Sequence, residues 1–109
     1  MPSELEQDFH KKMVDIYRQA KEAGYVASRF LQMVSEIGGV EAAKTLINAS
    51  TPSDGYTELF KIGRLDLTVE ALVVSDLKWQ KLFDFEEVNR AKKRLEDYQY
   101  RIHSHSSHK

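Results

Sequence analysis

Apolar residues in this chain recur at intervals of three and four, and no stretch sustains an interval of two. Near the start, Leu5, Phe9, Met13, Ile16 and Ala20 line one stripe of an amphipathic helix that Tyr17 widens. Its other faces carry Asp8, Lys11, Lys12, Asp15, Arg18, Lys21 and Glu22, and His10 is expected among these solvated side chains. Ser3 with Glu6 forms a capping box at its start, and Gly24 supplies a stop. A second helix is predicted over 27–37, with Phe30, Met33, Val34 and Ile37 inward and Ser28 as its cap, broken by Gly38-Gly39. A third follows over 40–48, in which Val40, Ala43, Leu46 and Ile47 face the core.

The stretch 52–74, PSDGYTELFKIGRLDLTVEALVV, holds the least replaceable residues. Pro52 disfavours helix for Thr51 and stops what precedes it. Ser53 or Asp54 caps a turn of helix carrying Leu59 and Phe60, and Gly63 suits a left-handed position closing it. Leu65 and Leu67 alternate with Arg64 and Asp66, which reads as an extended link. Thr68 caps a helix over 69–74, with Glu70 in the first turn, where the helix dipole favours an acid. Ser75 is expected to cap a short helix holding Leu77, Leu82 and Phe83, with Trp79 on another side. Asp84 and Glu87 make a second capping box for a final helix, 85–98, striped by Val88, Ala91, Leu95 and Tyr98, with Glu86 and Arg90 paired one turn apart.

The pattern predicts an all-α, compact, single domain over 1–98, of about six to seven short helices, with 99–109 as a flexible tail. Hydrophobic and charged fractions of 41% and 30% are those of a soluble globular protein. No apolar run reaches the ~20 residues of a membrane helix, and the N-terminus lacks a signal-peptide core, so a cytoplasmic protein without membrane attachment is expected. The net charge of -1 argues against a protein that binds nucleic acid mainly through phosphates.

Little catalytic chemistry is visible. Cysteine is absent, no glycine loop cradles a phosphate, and His10 is the one histidine before the tail. The interior is claimed by Leu, Val, Phe and Met, leaving little room for a ligand cavity of ~300 Å³ or more. No enzyme activity, cofactor or metal is expected. His103, His105 and His108 have the spacing of metal ligands, but they lie in a Ser-rich stretch with no carboxylate to orient them. Arg90, Lys93 and Arg94 share a helical face, with Arg101 beyond, and form the alternative surface for nucleic acid; Glu86, Glu87, Glu96 and Asp97 balance it. Arg64 is placed by a tight corner to bind Asp66 or Glu70. Tyr25, Arg29, Asp54, Tyr56, Arg64 and Trp79 gather at helix ends and are the candidate surface for a protein partner, with Tyr25, Tyr56 and Trp79 as an aromatic rim.

The blocks GYVASRFLQMVSEIGGVEAAKTLI, PSDGYTELFKIGRLDLTVEALVV, WQKLF and AKKRLEDY, in that order, resemble a family of small bacterial proteins and protein-terminal domains without assigned activity. The resemblance spans residues 17–98 and transfers no residue roles. Its association with restriction and mobile-element genes implies an accessory part in DNA metabolism or defence. A helix-turn-helix reading of ELFKIGRLDLTVEALVV fails on chemistry: the corner is too long, and the helix over 69–74 has no Arg, Lys, Asn or Gln to read bases. The expectation is a non-catalytic helical module, monomer or homodimer, that recognises a protein partner.

Overall fold

In the computed structural model, which describes residues 3–98, every regular element is helical. The α-helices are α1 (Glu4–Glu22), α2 (Ser28–Ile37), α3 (Gly39–Asn48), α4 (Asp54–Lys61), α5 (Val69–Val74), α6 (Leu77–Gln80) and α7 (Phe85–Asp97), with a 3-10 turn at Leu65–Leu67. The predicted tail, 99–109, lies outside the described residues, and with it Arg101, His103, His105 and His108. No helix among the described residues is long and apolar enough to cross a membrane.

The centre is α5. All six of its residues are buried, Glu70 included, so VEALVV is apolar nearly all round because it has no outer face. Three of the six are β-branched valines, residues of modest helix propensity, and burial outweighs that preference. Around α5 pack α7 on one side and α3 on another, with α1 and α6 completing the shell. The predicted stripe of α1 is the one found: Phe9, Met13, Ile16 and Ala20 are buried and Leu5 packs partly against the core.

Local chemistry sets the helix ends. Ser3 and Asp84 close capping boxes with Glu6 and Glu87, and Ser53 and Thr68 accept from Tyr56 and Ala71 N–H. At the end of α1, Tyr25 N–H donates to Ala20 O at 2.9 Å and Gly24 N–H to Lys21 O at 3.1 Å, with Gly24 at φ 110°. The end of α4 repeats the motif through Arg64 N–H to Leu59 O, Gly63 N–H to Phe60 O and φ 74° at Gly63.

Several expectations are corrected. Leu65 and Leu67 form a 3-10 turn, not an extended link; both are buried, Leu65 in the main core and Leu67 in a smaller cluster with Ala20 and Leu59. Asp76, not Ser75, caps α6, while the Ser75 hydroxyl donates to Leu72 O. The face of α6 that turns inward also differs from expectation: Trp79 is 3% exposed and Leu77 is 77% exposed. Trp79 packs edge-on to Phe9 at a centroid distance of 5.5 Å, so it belongs to the core and not to a rim. Ile37 is exposed, and Ser28 is the first residue of α2, after an Ala27 cap with no side-chain hydrogen bond.

His10 is corrected as well. It is half-buried, and its Nδ1 accepts from Gly39 N–H at 3.0 Å, satisfying one of the unpaired donors at the start of α3. The same approach explains Gly39. A Cβ there would stand 2.7 Å from His10 Cα, a backbone atom that cannot step aside. Gly39→Ala is therefore expected to destabilise the protein by about 1–3 kcal/mol, read by urea denaturation. A loss of only a few tenths would mean that α1 and α3 are not held at this spacing.

Glu87 yields a second expectation. Its carboxylate accepts from Lys44 Nζ at 2.9 Å, Asn48 Nδ2 at 2.8 Å and Asp84 N–H at 3.0 Å. Burial alone raises its pKa, but these donors outweigh burial and hold it below the ordinary 4.5. A depressed folded-state value means the stabilisation is complete above the unfolded pKa and lost as pH falls through the folded one. Glu87→Gln is expected to cost about 1.5 kcal/mol or more at pH 7. The gap to wild type should narrow as pH drops below 4.5 in paired urea titrations; a gap independent of pH would contradict this.

Candidate functional site

The five residues 49–53, ASTPS, carry the chain from α3 to α4, and Pro52 forbids α3 from continuing through them. Helix α3 ends on an extended Ala49, without the glycine closure seen in α1 and α4, so its last carbonyls need other donors. Arg94 supplies them. Its Nη1 donates to Leu46 O at 3.2 Å and to Glu70 Oε2 at 2.8 Å, and its Nη2 to Ala49 O at 2.9 Å. Tyr56 OH, from α4, donates to the Arg94 carbonyl at 3.0 Å. A cation at a helix C-terminus is favourable in itself, and the pair with Glu70 is almost wholly buried. Burial pushes the Glu70 carboxyl above its ordinary range while Arg94 pulls it back, and burial pushes the Tyr56 phenol up.

Arg94 therefore points inward, which corrects the expectation of a basic face. Arg90 donates to the Asn48 side chain on α3, and Lys93 is exposed beside Asp97 at 3.6 Å. Of the sequence-predicted nucleic-acid set, the described part is split between the interior, the α3 seam and the solvent. Arg64 binds Asp66, one of the two partners expected, through paired bonds of 3.0 Å from Nε and Nη2. That bond holds the Asp66 carboxyl below its ordinary range.

Tyr25, Arg29, Asp54 and Tyr56 do come together. They line a cleft of about 540 Å³ between the second half of α1, the start of α2, the start of α4 and the entry to α5. Arg64 and Trp79 are not part of it. The expectation that so small a domain leaves little room for a hollow of this size does not hold at its surface, for a reason of geometry. Core side chains do fill the interior, but the cleft lies between helix ends, where Ala20, Ala27, Ser28 and Gly55 put little bulk. Its walls are Ile16, Val26, Phe30, Met33, Leu46, Leu59, Leu67 and Val69; Tyr56 and Glu70 lie buried in its lining. Tyr25 packs over the backbone of Gly55, whose Cβ position is 3.7 Å from the phenol ring. The exposed lining is more apolar than polar, and hydroxyl and charged side chains are interspersed along it.

Sequence reasoning missed Val26, Phe30, Met33 and Tyr17 as lining residues. Phe30 and Met33 carry a core-stripe signal, and half-burial of a stripe cannot be told from full burial by spacing. A second hollow of about 540 Å³ lies over the His10–Gly39 contact, lined by Glu6, Lys11, Ile37, Val40 and Glu41 among others. Among the described residues, no group of three His, Asp or Glu side chains is placed to hold a metal ion.

Because Arg94 joins several helices, Arg94→Ala should strand a buried Glu70 and cost about 3–5 kcal/mol in chemical denaturation. The pair Arg94→Met with Glu70→Leu should recover part of that loss; a single variant as stable as wild type would remove Arg94 from this role. No protein-family model, curated protein or solved structure matches this chain, so the cleft and its chemistry are what a functional reading rests on.

Proposed function

We propose that this chain is a non-catalytic recognition module, an accessory protein whose cleft between α1, α2 and α4 receives an apolar segment of a protein partner. The observation that carries this reading is the cleft's composition: apolar walls, with Tyr17, Tyr25, Arg29 and Asp54 around them. Aromatic and arginine side chains around a desolvated pocket are what binding hot spots are made of. Val26, on the wall, is 52% exposed, an apolar surface for which water is a poor neighbour. The titratable groups of the lining are consistent with a binding role. The lining contains no histidine, and its acids are Asp54 at the first position of α4 and Glu70 bound to Arg94. The contrary reading, nucleic acid on the last helix, loses Arg94 to the interior and Arg90 to Asn48.

Affinity capture from the source cell, read by mass spectrometry, tests this. Wild type should retain a partner that Val26→Asp and Met33→Asp lose by at least tenfold, or about 1.4 kcal/mol. Leu77→Ser, outside the cleft, should retain it. Equal retention by both cleft variants, folded by circular dichroism, would overturn the reading.

A further inference from the structure

The cleft's charges are not equivalent. Its lining contains three: Arg29, Asp54 and Glu70. Glu70 is answered by Arg94 at 2.8 Å. Asp54, exposed and without a side-chain hydrogen bond or ion pair to any described residue, sits in the first turn of α4, where a carboxylate meets the positive end of its own helix. Arg29 is answered by nothing: the guanidinium is exposed and makes no hydrogen bond or ion pair with any described residue. The first turn of α2 holds no acid to offset it. A cation there faces the unfavourable end of the helix dipole, so it lacks even a local reason for its place.

From this charge asymmetry we infer that the partner segment entering the cleft is amphipathic and acidic: an Asp or Glu adjoining the apolar side chain it inserts, paired with Arg29. This rests on the proposed function and specifies its ligand. The apolar side chain goes against Val26, Phe30 and Met33, and the carboxylate takes the two-pronged bond that a guanidinium fork offers. Partial desolvation by the bound segment strengthens that bond over an ordinary surface pair. A basic segment is repelled by Arg29 and has no acid left to seek except Asp54.

The test uses random dodecapeptides displayed on phage, selected on the full chain, with affinities of the enriched peptides measured by fluorescence polarisation. Peptides that bind the cleft are identified as those weakened by Val26→Asp. The expected result is that these share an acid beside a Leu, Ile, Phe or Trp and bind Arg29→Glu at least tenfold more weakly. Replacing the acid by Lys should restore binding to Arg29→Glu, a rescue that a merely structural role for Arg29 would not produce. Should Arg29→Glu fold poorly, Arg29→Gln serves, with a smaller loss in the same direction. Cleft-binding peptides that lack an acid, or that ignore both Arg29 variants, overturn this inference and leave the cleft reading standing. Absence of any peptide sensitive to Val26→Asp overturns both.

Discussion

Arg94 is the constraint on which the arrangement of helices depends. Its guanidinium ends α3 and pairs with the acid inside α5, and its backbone carbonyl accepts from the phenol of α4. Removing two charges from water is costly, and such a pair earns its place only when its remaining hydrogen-bonding capacity is also met. Here it is met by carbonyls that Pro52 leaves unpaired when it stops α3. The proline, the arginine and the glutamate, far apart in sequence, are parts of one solution.

The cleft follows from the same arrangement. With α3 and α7 locked against α5, α4 is reached by a short link and returns through the 3-10 turn, so its start faces the loop after Gly24. The glycine closure of α1 turns the chain so that Tyr25 lies over Gly55. Helix ends cannot interdigitate as helix flanks do, since their side chains splay and the small residues there leave space. A domain with a filled core thus keeps an apolar surface open at one corner. That corner presents apolar walls together with the exposed charges of Arg29 and Asp54.

Helix α7 shows how one amphipathic segment serves two partners. Val88, Ala91 and Leu95 meet the apolar core, while Glu87, Arg90 and Arg94, three and seven positions along, run down an adjoining polar seam against α3. Lys44 and Asn48 on α3 answer Glu87, and Asn48 also answers Arg90. The seam sets the register of two helices that apolar packing alone would let slide.

What was legible in the sequence was local. The stripe of α1, the capping boxes at Ser3 and Asp84, the Thr68 cap and the left-handed glycines each depend on residues within a turn of one another, where spacing and backbone preference decide the outcome. The all-α class follows from the same periodicity. Tertiary structure decided the rest. Packing against Phe9 holds Trp79 inward and leaves Leu77 outward; His10 left its solvated face because Gly39 allowed backbone to approach. Arg94 looks in sequence like its solvated neighbour Lys93, and its burial depends on an acid 24 positions earlier in the chain. Pairings of that reach, and the space left where several helix ends meet, are properties of the packed chain and have no local signature to read.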